Sequence, residues 1–429
     1  MNKIYNPDRK EWKAILKRPT QTVADIEGTV SDIFREVAKN GDAVLKKYTA
    51  EFDGVSLENF LVSKDEIEAA VKWVPNELKE AILLAKSNIE KFHKAQKSER
   101  ITVETAPGVY CWQEKRPIEK IGLYIPGGTA PLFSTILMLA VPANIAGCNE
   151  IVLCSPPNKE KKIHPAILYA ARLCGVTQIF KVGGIQAIAG MTFGTESIPR
   201  VYKIFGPGNQ FVTVAKQLAT KYGVAIDMPA GPSELLVVAD DTANPAFVAA
   251  DLLSQAEHGV DSQVILVSTS KSIIASVERE VEKQIQKLPR RAIAEKSVAN
   301  SKLIYVGNDR TALDLINEYG PEHFIICSAA EDFYVDNIRN AGSVFIGNYT
   351  PESAGDYASG TNHTLPTNGY AKQYSGVNLD SFMKSMTFQK ISADGIREIG
   401  AAIESMAEAE GLQAHKNAVT LRLKSLEKY

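Results

Sequence analysis

The stretch Ile121-Gly122-Leu123-Tyr124-Ile125-Pro126-Gly127-Gly128 decides the fold. Its first five residues are apolar apart from Gly122 and have the length of a buried strand. Pro126 breaks the strand, Gly127-Gly128 turn the chain, and an apolar segment follows to residue 146. A short strand closed by glycines and followed by a helix opens a βαβ unit. The same punctuation recurs downstream. Strand 151–154 precedes helix 166–174. Strand 178–182 ends in Gly183-Gly184 before a helix near Gln186. Strand 201–205 ends in Gly206-Pro207-Gly208-Asn209 before a helix to Lys221. This alternation predicts a parallel sheet covered by helices.

Beyond Gly231 the alternation resumes. Strand-like runs lie at 235–238, 264–267, 303–306, 324–327 and 344–346, with helical patterns near 247–255, 273–288, 311–318 and 333–340. A second α/β sheet is expected, although no internal repeat is strong enough to establish duplication. Residues 20–97 read as charged helices, with Pro75 separating 66–73 from 77–94. After Leu379 the pattern reads as helical again, at 394–408 and 415–427. The polar, Gly-rich stretch 349–370 reads as a loop, and a loop that long is usually functional or disordered. Asp356 and His363 within it favour function.

Bulk properties narrow the class. At 429 residues the chain is long enough for two to three domains of about 150 residues each. A net charge of −2 gives no whole-chain basic field for nucleic acid. The basic run Lys159-Glu160-Lys161-Lys162 reads as a solvated loop. The polar start, Met1 to Asp8, lacks the apolar core of a secretory signal. The longest apolar stretch, 136–146, contains Pro142 and Asn144 and is too short to span a bilayer. A cytoplasmic location is therefore expected. Five cysteines without a CxxC pair argue against a disulfide framework or thiolate zinc site; buried small side chains are the simpler reading.

The chemistry concentrates in the second half, where four of six histidines sit beside acidic or amide groups. The clusters are Gln255 to His258, Glu322-His323, Asp356 with His363, and Glu410 with His415. Histidine titrates near neutrality and is the commonest metal ligand, while carboxylates add oxygen donors and general bases. Gln255 and His258, three apart at a helix end, can face one way. With Asp356 and a further histidine they give a nitrogen and oxygen donor set suited to zinc, manganese or cobalt. Glu322 and His323 offer two bases of different ordinary pKa, and a turn there would aim both into one cleft. His415, near a helix N-terminus, has its cationic form disfavoured, which suits a neutral ligand. On motif grounds Glu322 would serve a zinc hydrolase equally well, and a non-catalytic metal or nucleotide-binding protein also fits. The glycine turns could seat a phosphate, but Phe211 stands where the dinucleotide fingerprint requires its third glycine.

Taken together, these segments resemble histidinol dehydrogenases, from about Val23 to Leu423. The resemblance rests on Tyr124 to Gly128, Phe205 to Asn209, Asp227 to Glu234, Asp251 to Gly259, Gly320 to Phe324, Gly355 to Thr367 and Ala414 to Ala418. It implies a zinc ion held by Gln255, His258, Asp356 and His415, the last from the partner subunit of an intertwined homodimer with shared active sites. It implies substrate contacts from Ser233, Gln255, His258, His323, Asp356, His363, Glu410 and His415, and NAD contacts from Tyr124, Gln186 and Asn209. The implied activity oxidises L-histidinol to L-histidine through an aldehyde with two NAD, the final step of histidine biosynthesis. His323 would be the base and Glu322 the activator of water. No nucleic acid or membrane partner is implied. The implied layout is two Rossmann-like parallel-sheet domains with small helical ends: an N-terminal helical arm (1–25), a first α/β domain (26–123 with 233–377), a second, NAD-binding one (124–232), and an exchanged helical domain (378–429).

Overall fold

The computed structural model describes residues 1–19, 24–127, 131–229 and 231–427. Gly128 of the expected turn, Ala230 and Val23 lie outside the described residues. The strands in chain order are β1 (Asn2–Tyr5), β2 (Ile101–Ala106), β3 (Val109–Pro117), β4 (Lys120–Tyr124), β5 (Glu150–Cys154), β6 (Gln178–Phe180), β7 (Lys203–Phe205), β8 (Ala225–Ile226), β9 (Glu234–Ala239), β10 (Gln263–Ser268), β11 (Lys302–Tyr305), β12 (His323–Cys327), β13 (Ser343–Ile346) and β14 (Met383–Ile391). The chain divides into two units, residues 1–96 with 118–382, and residues 97–117 with 383–429.

The first unit holds two parallel sheets, ordered β6-β5-β4-β7-β8 and β1-β11-β10-β9-β12-β13. Leaving β1 aside, each runs outward from its first strand in the same third-second-first-fourth-fifth order. That order creates a switch point, at β4/β7 in one sheet and β9/β12 in the other, where the crevice opens at the carboxyl ends. The β9 sequence Glu-Leu-Leu-Val-Val-Ala is buried throughout because helices cover both faces. Leu235 and Val237 enter one core and Leu236 and Val238 the opposite one, as the two-residue pleat dictates.

The apolar segment after the decisive strand forms helix Phe133–Ala146, which is buried on nearly every side, Pro142 included. An all-round apolar helix of this length belongs in a protein core. Among the described residues no helix is long and apolar enough to cross a membrane.

The packing divides the chain differently from the expected domain boundaries. Helix Ala24–Asn40 buries Ile26, Val30, Ile33, Phe34 and Val37 in the core on the five-stranded sheet, together with Tyr124, Val152 and Ile204. Residues 26–48 thus belong with the sheet that follows them, as does β4. Two further expectations need correction. Residues 2–5 are an edge strand paired to β11, not part of a helical arm, because the sheet supplies the hydrogen bonds that a polar tetrapeptide cannot signal. Residues 383–391, read as helical, form β14.

The second unit is an antiparallel sheet ordered β14-β3-β2, followed by helices Ala393–Ala409 and Gln413–Leu426. Trp112 and Phe388 face each other in register and stack at 5.3 Å, with the Arg100 guanidinium 4.4 Å from the Trp112 ring. Gly400 packs against Leu423 between the two helices.

Candidate active site

In the first unit, the amino edge of the six-stranded sheet and the carboxyl edge of the five-stranded sheet frame one cavity of about 160 Å³. From the first edge come Ser233, Glu322 and His323; from the second, Gly206, Pro207, Gly208 and Asp227. Gln255, His258, Asp356 and His363 complete it. Glu322 precedes β12 and His323 begins it, so strand alternation does not yet separate them, and both side chains reach the same cavity. Gln255 ends helix Pro245–Ala256 and is buried, whereas His258 lies just past it with an exposed face. Asp356 sits on a short helix, Glu352–Tyr357, inside the stretch read as loop.

His323 is the hub. Its Nδ1 lies 3.1 Å from Gln255 Nε2, 3.2 Å from the Glu234 carbonyl, 3.7 Å from Glu322 and 3.8 Å from Glu352. Its Nε2 lies 3.6 Å from Asp356 and is buried with no hydrogen-bond partner among the described residues. Burial opposes charge on the ring, but Glu352, Glu322 and Asp356 outweigh it and raise the His323 pKa to about 10. Burial pushes the Glu322 carboxyl up to about 8, against the pull of His323 and a 2.8 Å hydrogen bond donated by the Glu234 backbone. Glu352 is held well above the carboxylate range, chiefly by burial. Asp356 goes the other way: burial is outweighed by the surrounding imidazoles, His323 foremost, which keep it ionised.

His363 donates from Nδ1 to the Asp356 carbonyl at 2.8 Å, which leaves Nε2 to accept from Thr135 Oγ1 at 3.2 Å. Burial lowers its pKa. With both nitrogens engaged, it is a neutral, oriented group. Burial likewise lowers the His258 pKa, leaving a neutral donor nitrogen. His323, Glu352 and Asp356 bring ligand atoms within 4.8 Å of one another. Of the carboxyls around His323, Asp356 is the one kept ionised, and its oxygens are those a divalent cation or an ammonium group would meet.

Tyr124 and Asn209 line a second cavity, of about 880 Å³, at the β4/β7 switch point. Tyr124 ends β4, and its hydroxyl accepts from the Gly184 backbone at 3.1 Å. Asn209 caps helix Gln210–Lys221 through Oδ1 to Val212 N at 3.1 Å, leaving its amide NH₂ free of that bond. Gln186 is wholly buried beside this wall, and both of its amide atoms lack partners among the described residues. Gly206 explains the turn. Its φ is +128°, and a Cβ there would meet the Tyr124 carbonyl at 2.1 Å. The buried Lys216–Asp227 ion pair holds this turn: Lys216 donates to the Gly206 carbonyl, and Asp227 accepts from the Gly206 N–H, each at 2.8 Å.

Glu410 and His415 belong to the second unit, where both are exposed: Glu410 caps the end of helix Ala393–Ala409 and His415 lies in the first turn of Gln413–Leu426. Sequence reasoning missed Glu352, whose only signal is an acidic residue after Pro351. It also gave no role to Glu234, which joins Arg18, the Asn368 backbone at 2.7 Å and Glu322 beneath the cavity.

A family model described as histidinol dehydrogenase matches residues 16–423. Histidinol dehydrogenases of Bacteroides fragilis and Bacteroides thetaiotaomicron are 61% and 59% identical to the chain, each alignment covering 100% of both proteins. The crystal structure of histidinol dehydrogenase from Elizabethkingia anophelis superposes with a TM-score of 0.97 at 56% identity, covering 100% of this chain and 99% of that one. With the family model spanning nearly the whole chain and identity sustained end to end, the chain belongs to the histidinol dehydrogenase family.

Proposed function

We propose that this chain is a zinc-dependent L-histidinol dehydrogenase. It oxidises L-histidinol to L-histidine through histidinaldehyde with reduction of two NAD, the last step of histidine biosynthesis. One observation carries the reading. Ser233, Gln255, His258, Glu322, His323, Asp356 and His363, scattered over the second half of the sequence, line one cavity in a chain of this family.

The donor chemistry fits a zinc ion: an ionised Asp356, a neutral His258 and the Gln255 amide share the cavity. Together with His415 of the partner subunit they would hold the ion, which would anchor the substrate's imidazole and amine as a template. NAD, seated against Tyr124 and Asn209 with Gln186 behind that wall, would supply the hydride acceptor for both oxidations. The remaining work is proton transfer. When His323 donates Nδ1–H to the Glu234 carbonyl, Nε2 is left bare. That nitrogen takes the hydroxyl proton of the alcohol, and later that of the hydrated aldehyde. Engaging Asp356 as a ligand withdraws one of the carboxylates that hold the His323 proton, which brings the imidazole toward the operating pH. Glu322 takes a proton from the water that adds to the aldehyde. Ser233 and His363 orient the substrate, and Glu410 of the partner subunit pairs with its amine.

An intertwined homodimer with shared sites is part of the reading. The second unit supports it by exposing Ile101 (71%), Met406 (67%) and Leu421 (59%), apolar surface of the kind a partner covers. A reducing, cytoplasmic setting is supported by five free cysteines, four of them buried.

The test is NADH formation on adding L-histidinol, before and after chelation and zinc add-back. Two NADH per substrate, loss on chelation and recovery with zinc are expected; no NADH from L-histidinol overturns the reading. His323→Asn should lower kcat about 10²- to 10⁴-fold with KM little changed. Glu322→Gln should slow oxidation of supplied histidinaldehyde more than the first oxidation.

A further inference from the structure

The larger cavity has two distinct ends. Pro131 and Asn209 line it on the side where their neighbours Leu132 and Gly208 line the substrate cavity. The reacting end of a dinucleotide belongs on that side. No chain neighbour of Asp53, Asn158 or Lys162 lines the substrate cavity. We infer that they face the other end of the ligand. The run Lys159 to Lys162, read from sequence as a solvated loop, is therefore adjacent to a binding wall.

Asp53 reaches the cavity from a five-residue π-helical turn, Thr49–Asp53, closed by Gly54 in the left-handed region at φ 67°. Such irregular turns recur at functional sites. Its Oδ2 is buried and, among the described residues, has no hydrogen-bond partner. Burial pushes the carboxyl up to about 6, with Lys159 pulling the other way. Lys159 itself is directed to the Asp53 backbone carbonyl, at 2.7 Å. A buried carboxylate oxygen without a donor is costly unless a ligand supplies one. A pyrophosphate cannot do so, because it brings like charge. A ribose diol can: two adjacent O–H groups match the two carboxylate oxygens in short, charge-assisted hydrogen bonds. A 2′-phosphate would replace one of those donors with negative charge.

We propose that Asp53 receives the adenosine-ribose hydroxyls of the dinucleotide and so sets the preference for NAD over NADP. This rests on the cofactor reading above. Lys162, exposed on the same wall, suits the pyrophosphate.

The experiment compares the parent with Asp53→Asn and Asp53→Ser in the full-length protein. Steady-state KM and kcat are measured with NAD and with NADP, and binding of ADP-ribose and its 2′-phosphate by calorimetry. Loss of a charge-assisted pair should raise the KM for NAD and the Kd for ADP-ribose about tenfold to a hundredfold. The KM for L-histidinol should not move, and the NAD-to-NADP ratio of kcat/KM should fall by at least about tenfold. Asp53→Asn, which keeps one acceptor, should lie between the parent and Asp53→Ser. Unchanged ADP-ribose affinity, or an unchanged NAD-to-NADP ratio, in both variants overturns the assignment. A parent without NAD-dependent turnover would sink the proposed function instead, and the calorimetry would still decide for or against Asp53.

Discussion

Asp251 shows how far a single buried carboxyl can be read. It lies on helix Pro245–Ala256, and burial pushes its pKa up to about 7, with the Glu352 backbone N–H pulling the other way. An unfolded aspartate titrates near about 3.9, so the folded value is the higher one. The folded state then binds the extra proton, and the stability Asp251 contributes is complete below about pH 4 and lost as pH rises through about 7. Asp251→Asn removes that loss. The melting temperature of the variant minus that of the parent should become more positive from about pH 5 to about pH 8, equivalent to on the order of 1–3 kcal/mol. A difference that stays flat with pH would refute the account. At this scale the sequence showed Gln255, His258, Glu322, His323 and Asp356 because amide, imidazole and carboxylate stood together in short clusters. Glu352 stood alone after Pro351, and only folding brings it to 3.8 Å from the imidazole. The tautomer of His363 was equally hidden, since Thr135 is far from it in sequence.

Among elements, the turn at Gly206 depends on a buried ion pair rather than on its own sequence. Lys216 and Asp227 have side-chain exposures of 2% and 1%. Lys216→Met would leave Asp227 charged and uncompensated, at a cost of about 3–5 kcal/mol. Lys216→Met combined with Asp227→Leu should recover part of that loss, because no lone charge remains. Chemical denaturation of the three variants measures both effects; a single variant as stable as the parent would contradict the pairing. The strands of the two parallel sheets were legible because both faces are covered, which makes short apolar runs. β14 was not. Lys384, Met386, Phe388 and Lys390 share one face of it, and Ser385, Thr387 and Gln389 the other. Neither face is apolar enough to show a two-residue period, so the segment read as helical. β1 is short, polar and at a sheet edge, and only its pairing with β11 reveals it.

For the molecule as a whole, the proposed sharing of sites between two subunits makes a quantitative prediction. Gln255→Ala and His415→Asn should each be inactive alone. Unfolded, mixed in equal amounts and refolded together, half of the dimers would be hybrids with one of two sites intact. Activity should then return to about a quarter of the parent's. No recovery would mean that both residues serve a site from the same chain. The twin strand orders were beyond the sequence, because strand order is set by crossovers that leave no local signature. They also place the two sheets in opposite service. The cavity takes the beginning of β12 but the end of β7. At the far end of β9 and β12 the crevice is stoppered from within: Asp240 accepts from Ser328 Oγ and the Ala329 N–H at 2.8 Å and from the Thr242 N–H at 2.9 Å. That rim is thus a place for surgery. A flexible peptide spliced between the exposed Gly307 and Asn308, just past β11, should leave kcat and KM as they were, giving the enzyme a handle for immobilisation remote from its chemistry.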